Sequence, residues 1–203
     1  MPNVSNVFGI TLWAIDQALN NALVGLLQFQ YHSHDRDLTH YPPIIWRSDT
    51  DDTPTVQPLW YALKFFAIAT ANYSQHVKVD ITGTTNKYNK VWALISKMNV
   101  LSVVILHKDL QATTPANVSF TLPSSTLFPI ARAVRLESSS PYNEFKIQFA
   151  GQTYDGSSDG TPVGDFAFET VTPSKTGTYT VFIQPISSIL ITMQVPTTAA
   201  DYY

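Results

Sequence analysis

Apolar and polar positions along the chain follow two different periods, and the change comes near residue 75. In "NVFGITLWAIDQALNNALVG", Phe8, Leu12, Ile15, Leu19 and Ala22 recur every three or four residues, which lines them along one helical face. Gly25 stands where such a helix stops. "LLQFQYH" alternates instead, with Leu27, Phe29 and Tyr31 on one side and Gln28 and Gln30 on the other, the period of a strand. A polar, proline-containing stretch runs from His32 towards Val56. "QPLWYALKFFAIATANY" then reads as a second helix, with Pro58 in the first turn, where a missing N–H costs no hydrogen bond. Leu59, Leu63, Phe66 and Thr70 follow one another down one side of it.

From His76 onward the helical period gives way to short β-rich runs: "HVKVDI", "KVWALIS", "LSVVILH", "NVSFTL", "RAVRL", "FKIQFA", "DFAFETV", "TYTVFI" and "SSILITM". Asn, Gly, Pro and Ser turns separate them, the pattern of an antiparallel sandwich. The two parts differ in self-sufficiency. A single strand between two amphipathic helices leaves both strand edges unpaired and the apolar helix faces uncovered. Such a unit makes sense as one repeat of an α/β barrel, a fold of about 250 residues with eight strands. The expected architecture is therefore mixed. Residues 1–75 form the last helix-strand-helix repeat of an incomplete (β/α)8 barrel, and residues 76–203 form an antiparallel β-sandwich. On this reading the rest of the barrel lies upstream of Met1 or comes from a partner.

One stretch invites a ligand. "FAGQTYDGSSDGTPVG", residues 149–164, holds four of the eight glycines and two aspartates. A phosphate cradle needs a lysine beside its glycines, and none occurs between Lys146 and Lys175. A twelve-residue calcium loop counted from Asp155 finds Ser157, Asp159 and Gly160 in place, but Phe166 stands where a bidentate glutamate must close the shell. The flanks alternate as strands, so the stretch reads as a strand-loop-strand connection whose glycines supply positive φ.

Composition narrows the function classes. With 44% hydrophobic and 13% charged residues, the 203-residue chain is of the folded class. Its formal charge of −3 and the lack of a basic stripe argue against nucleic acid as a partner. With no cysteine there is no disulfide, zinc-thiolate site or thiol nucleophile. No apolar run is long enough to span a membrane. The first 35 residues have no Lys or Arg, so no signal peptide is visible. Asn3, Asn72 and Asn117 head Asn-x-Ser sequons, which are compatible with a secreted parent.

"FGITLWAIDQALNNALVGLLQFQYH", "VQPLWYALKFFAIAT", "FAGQTYDGSSDGTPVGDFAFETV" and the late "ISSILITM" together resemble the C-terminal portion of glycoside hydrolase family 79, the β-glucuronidase and heparanase-like enzymes. The resemblance spans nearly the whole chain. Its most specific piece is Ala150-Gly151-Gln152-Thr153-Tyr154 followed by Asp159-Gly160 and Gly164, which looks like the family's C-terminal β-domain. It implies a retaining glycosidase acting on a glucuronide-type glycan without cofactor or metal, in a secreted parent enzyme. One glutamate would serve as acid/base and another as nucleophile, their carboxyls about 5–5.5 Å apart across the scissile bond. The only glutamates here are Glu137, Glu144 and Glu169, all in the sandwich part. No catalytic position is carried over, and this chain alone is expected to be inactive.

Substrate contact is expected on "YHSHDRDLTHYPPIIW", which follows the barrel-type strand at its C-terminal end. Tyr31, Tyr41 and Trp46 would stack on a sugar ring and His32 would bond a hydroxyl. Ser33 and His34 depart from the glycine that often follows this histidine in the family. His32, His34 and His40 with Asp35 and Asp37 also have zinc-compatible chemistry, but nothing fixes a third ligand and a solvated loop is the reading adopted. Asp49, Asp51 and Asp52 precede the second helix, where negative charge suits the helix dipole. Ser187-Ser188 lacks a nucleophile elbow, and Trp13, Trp60 and Trp92 read as core. The alternative function is a non-catalytic carbohydrate-binding or adhesive β-sandwich module.

Overall fold

In the computed structural model the residues described are 6–26, 30, 42–46, 53–72, 74–80, 87–122 and 129–195. The chain divides into two compact units, Met1–Phe66 with Leu136–Ala167, and Ala67–Arg135 with Phe168–Tyr203. Among the described residues there are two helices and eleven strands.

The first unit is organised by α1 (Phe8–Leu23). Phe8, Leu12, Ile15 and Leu19 are buried, as their spacing predicts, and Ala22 is half-buried. No side chain caps the start of the helix. Its first free N–H groups go instead to the chain near residue 142: Phe8 donates to the Asn143 carbonyl at 2.7 Å and Gly9 to that of Pro141 at 2.8 Å. At the far end Leu26 N–H reaches the Asn21 carbonyl and Gly25 N–H that of Ala22, a Schellman closure with Gly25 at φ +83°. Trp13 is not core. It is 47% exposed because it lies one residue past Leu12, turned about 100° from the buried stripe.

Helix α2 (Pro58–Ala69) begins on Pro58 as expected. It follows a short antiparallel pair, β1 (Ile44–Ile45) with β2 (Thr55–Val56), which the polar stretch gave no sign of. Thr11 Oγ1 donates to the Pro58 carbonyl at 2.8 Å, tying α1 to the start of α2. The buried face of α2 is not the one spaced Leu59, Leu63, Phe66 and Thr70. Tyr61, Ala62, Phe65 and Ala69 are the buried residues along with Pro58 and Leu59, whereas Leu63, Phe66 and Thr70 are half-buried. A helix reading LWYALKFFAIA is apolar nearly all round, so its period cannot choose a face. Of the barrel-type strand expected across residues 27–31, only Gln30 is among the described residues.

The second unit is a sandwich. The nine runs read as strands from His76 onward each hold one, of which β8 lies in the first unit: β3 (Gln75–Val77), β4 (Asn89–Ile95), β5 (Val100–His107), β6 (Ala116–Thr121), β7 (Ala131–Ser138), β8 (Ile147–Phe149), β9 (Glu169–Val171), β10 (Thr178–Ile183) and β11 (Ser187–Gln194). In one sheet the order is β3-β4-β5-β11-β7, with β9 also paired to β7. The other sheet is β6 with β10. Both turn apolar residues to a shared core of Leu101, Val103 and Ile105 from β5, Tyr179, Val181 and Ile183 from β10, and Ile189, Ile191 and Met193 from β11. Val118 and Phe120 of β6 pack against it. The last residues of β7 belong to the first unit, where Leu136, Glu137 and Ser138 pair with β8.

"DFAFETV" is strand only over its last three residues. Phe166 and Phe168 before it are exposed, and the Arg132 guanidinium sits 4.8 Å over the Phe168 ring.

Candidate functional site

Of the residues expected to contact a sugar, Tyr31, His32 and Tyr41 lie outside the described residues, as do His34, His40, Asp35, Asp37, Asp49, Asp51 and Asp52. Trp46 is described. It leaves β1 directly after the buried Ile45 and is half-buried. The pairing of Ile45 with Thr55 and of Ile44 with Val56 therefore fixes the backbone one residue before this indole. Among the described residues no group of three or more His, Asp or Glu is arranged to hold a metal ion.

The glycine-rich stretch 149–164 is built as a double hairpin. Phe149 and Gln152 exchange backbone hydrogen bonds at 2.8 and 3.0 Å around Ala150 and Gly151, both at positive φ (53° and 75°), the signature of a type I′ turn. Thr153 and Val163 then exchange bonds at 2.9 and 2.8 Å. The two aspartates of the stretch are already used locally. Asp155 Oδ2 accepts the Lys146 N–H at 2.6 Å, and Asp159 Oδ1 accepts the Thr161 N–H at 2.8 Å and the Ser157 hydroxyl at 3.3 Å. Those bonds, the Thr161 N–H first, hold the Asp159 carboxyl below its ordinary value. The loop is thus a structural turn.

What this loop does is dock on α2, and sequence reasoning missed the anchor. Tyr154 N–H donates to Tyr61 Oη at 2.6 Å, and Tyr61 Oη lies 3.0 Å from Thr153 Oγ1 and 3.4 Å from Asp155 Oδ1. The Tyr154 ring meets Tyr61 edge-on at 5.2 Å and Trp60 at 6.2 Å. Gly160 lets the Trp60 indole approach: a Cβ there would come within 3.2 Å of the ring. Burial pushes the Tyr61 phenol up to about 12, despite the opposing hydrogen bonds to Thr153 and Tyr154. The signal available in sequence was the aromatic pair Trp60-Tyr61 at the head of a helix; its partner lies 93 residues away.

Of the three glutamates, Glu169 is held in a two-pronged ion pair. Arg135 grips Glu169 at both carboxylate oxygens, Nε to Oε1 and, at 2.9 Å, Nη2 to Oε2, while its Nη1 donates to the Phe182 carbonyl at 2.8 Å. The Arg135 hydrogen bond, ahead of its charge, holds Glu169 below the ordinary carboxyl range, the opposite of what a general acid needs. Glu137 lies in β7 opposite Gln148. Ser187 and Ser188 donate to the carbonyls of Gln184 and Ile105 at 2.7 and 3.1 Å.

No family profile matches the sequence, and no curated protein matches it either. Solved structures do. A 4-O-α-L-rhamnosyl-β-D-glucuronidase from Fusarium oxysporum 12S is similar over 94% of this chain and 40% of its own, with a TM-score of 0.72 at 17% identity. A family 30 subfamily 8 xylanase from Clostridium acetobutylicum is similar over 94% and 40%, with a TM-score of 0.56 at 14% identity. Xylanase C of family 30 from Talaromyces cellulolyticus is similar over 91% and 35%, with a TM-score of 0.55 at 10% identity. This chain shares a fold with part of these glycoside hydrolases and spans 35 to 40% of their length.

Proposed function

We propose that this chain is the C-terminal part of a β-glucuronidase-like retaining glycoside hydrolase of the family 79 type. Residues 1–75 supply the last helix-strand-helix repeat of a catalytic barrel and one wall of its substrate cleft, and residues 76–203 supply a structural β-sandwich domain. The observation that carries the reading is the likeness to the rhamnosyl-glucuronidase, which covers nearly all of this chain and extends through both of its units. On this reading the paired acids of the reaction lie outside these 203 residues, and the ion pair of Glu169 with Arg135 supports it for that one glutamate. The expected substrate is a glucuronide-type glycan, contacted by Tyr31, His32, Tyr41 and Trp46, in a secreted parent enzyme.

The test uses the 203-residue chain. It is expected to release no product from an aryl β-D-glucuronide or an aryl β-D-xyloside, and turnover in either assay overturns the proposal. Titration with rhamnosyl-glucuronic acid followed by NMR is expected to give weak binding that Trp46→Ala and His32→Ala both abolish. Binding that survives both substitutions points instead to the sandwich, and to a non-catalytic carbohydrate-binding module.

A further inference from the structure

We propose that Asn117 is the acceptor of an N-linked glycan whose first sugar lies against Phe182 on the outer face of the β6–β10 sheet. Asn117-Val118-Ser119 is a sequon, and β6 sets its residues alternately inward and outward. Val118 and Phe120 turn to the core, while Asn117, Ser119 and Thr121 face out. Asparagine is a poor strand former, and at an exposed position within this strand it adds nothing to packing.

Its cross-strand partner is as unusual. Phe182 stands directly opposite Asn117 in the antiparallel register, so both side chains leave the same face, with Cβ atoms about 4.5–5.5 Å apart. Phe182 is 45% exposed between the polar pair Ser119–Thr180, whose hydroxyls are 2.9 Å apart, and the strand's end. A pyranose joined to Asn117 Nδ2 would lay its C–H face on that ring, covering the apolar surface with its own.

The strand also needs cover for its edge. Among the described residues β6 pairs only with β10, and ANVSFT contains no charge and no proline. An uncharged open edge is a template for a further strand, and a bulky polar group beside it blocks such pairing. The other described sequon has a structural account: Asn72 sits at φ +60° just past α2, a left-handed position that asparagine tolerates. Asn3 is outside the described residues.

The modification is a glycosyl transfer in the eukaryotic secretory pathway from a lipid-pyrophosphate oligosaccharide. Asn117 Nδ2 forms the bond to the anomeric carbon as the C–O bond to pyrophosphate breaks. The lipid pyrophosphate leaves with the electron pair, and one amide proton passes to a base of the transferring enzyme.

The full chain secreted from a yeast host provides the test. Site-resolved mass spectrometry after peptide-N-glycosidase treatment is expected to find Asn117 converted to Asp. Asn117→Gln and Ser119→Ala are expected to lose one glycan from the intact mass, and Ser119→Thr to keep it. Recovery of the Asn117 peptide unmodified from secreted wild-type chain overturns the assignment, even if the variants fail to fold. Phe182→Ala is expected to lower the melting temperature of the glycosylated chain more than that of the enzymatically deglycosylated chain; an equal shift overturns the contact with Phe182.

Discussion

The Tyr61 hydroxyl accepts the backbone N–H of Tyr154 at 2.6 Å, joining the first turn of α2 to a hairpin 93 residues further along. The bond sits under buried rings, Tyr61 at 1% and Tyr154 at 3% exposure, where water cannot replace a lost partner. One side-chain oxygen therefore holds the glycine-rich loop in place, and the Trp60–Gly160 contact completes the seat.

Tyr61→Phe keeps the ring and deletes that oxygen. The Tyr154 N–H is left buried without its acceptor, which costs on the order of 1–3 kcal/mol. Urea unfolding is expected to show a lower midpoint with an unchanged slope. The same group sets an alkaline limit. Its folded value, about 12, lies above its ordinary 10.0, so below pH 10 both states are protonated and its contribution is complete. Between those values the unfolded phenol ionises while the folded one stays neutral, and stability falls as pH rises. Burial raises Tyr154 and Tyr179 as well, so the variant is expected to lose part of this alkaline slope rather than all of it.

Two glycines at nearly the same φ separate backbone strain from crowding. Gly151 (φ +75°) has no room: a Cβ would stand 3.0 Å from Ala167 Cβ and 3.1 Å from the Asp165 carbonyl oxygen. Gly156 (φ +74°) has nothing within 4 Å of that position. Gly156→Ala should cost about 1–2 kcal/mol from the left-handed conformation alone. Gly151→Ala should cost more, because the Ala150–Ala167 backbone bond at 2.7 Å must shift as well. Equal thermal shifts for the two variants would rule out the crowding.

These positions explain what the sequence could and could not tell. The outer strands β6 and β10 were legible because one face of each is buried, which imprints alternation on neighbours such as Val181, Phe182 and Ile183, whereas β5 and β11 are buried on both faces and read as continuous apolar runs. The α1 face was legible because Gln17, Asn20 and Asn21 mark its wetter side. The α2 face was not, since Leu63 and Phe66 are as apolar as the buried Ala62 and Phe65. The two-residue strands β1 and β2 are too short to have a period, and the Tyr61–Tyr154 bond is set by tertiary contact between distant segments. Of the expected sugar contacts only Trp46 is described, and its half-burial follows from the buried Ile45 beside it, a local cue that "PPIIW" did contain.

The Arg135–Glu169 pair makes an acid-side prediction. Glu169 is held below its ordinary 4.5 by the Arg135 hydrogen bond, so the stabilisation is present above that value and is lost as pH falls through the lower, folded one. The Glu169 side chain is 52% exposed, so solvent screening limits the pair to about 0.2–1 kcal/mol. Glu169→Gln is expected to lower stability by that much at neutral pH, to converge with wild type in acid, and to show less sensitivity to added salt. A variant that stays separated from wild type at low pH would mean the loss arises from packing.

The two faces of α2 can be told apart by truncation. Phe65 is fully buried, and its ring lies 5.6 Å from that of Phe149 on β8, so Phe65→Ala removes packed surface that the surroundings cannot refill. The expected loss is about 3–5 kcal/mol. Leu63 is half-buried two residues away, and Leu63→Ala should cost about 1 kcal/mol, the ordinary figure for a partly exposed site. Denaturant unfolding of both variants decides which face the helix buries, because the spacing Leu59, Leu63, Phe66 predicts the reverse order. Were Leu63→Ala the more damaging, the helix would have to be turned by about 100° per residue of displacement to bring that stripe inward. The Tyr61 hydroxyl would then point away from the Tyr154 N–H, and Tyr61→Phe would be close to neutral. The two measurements are therefore coupled: a large loss at Phe65 together with a loss at Tyr61 is the joint outcome this helix orientation requires.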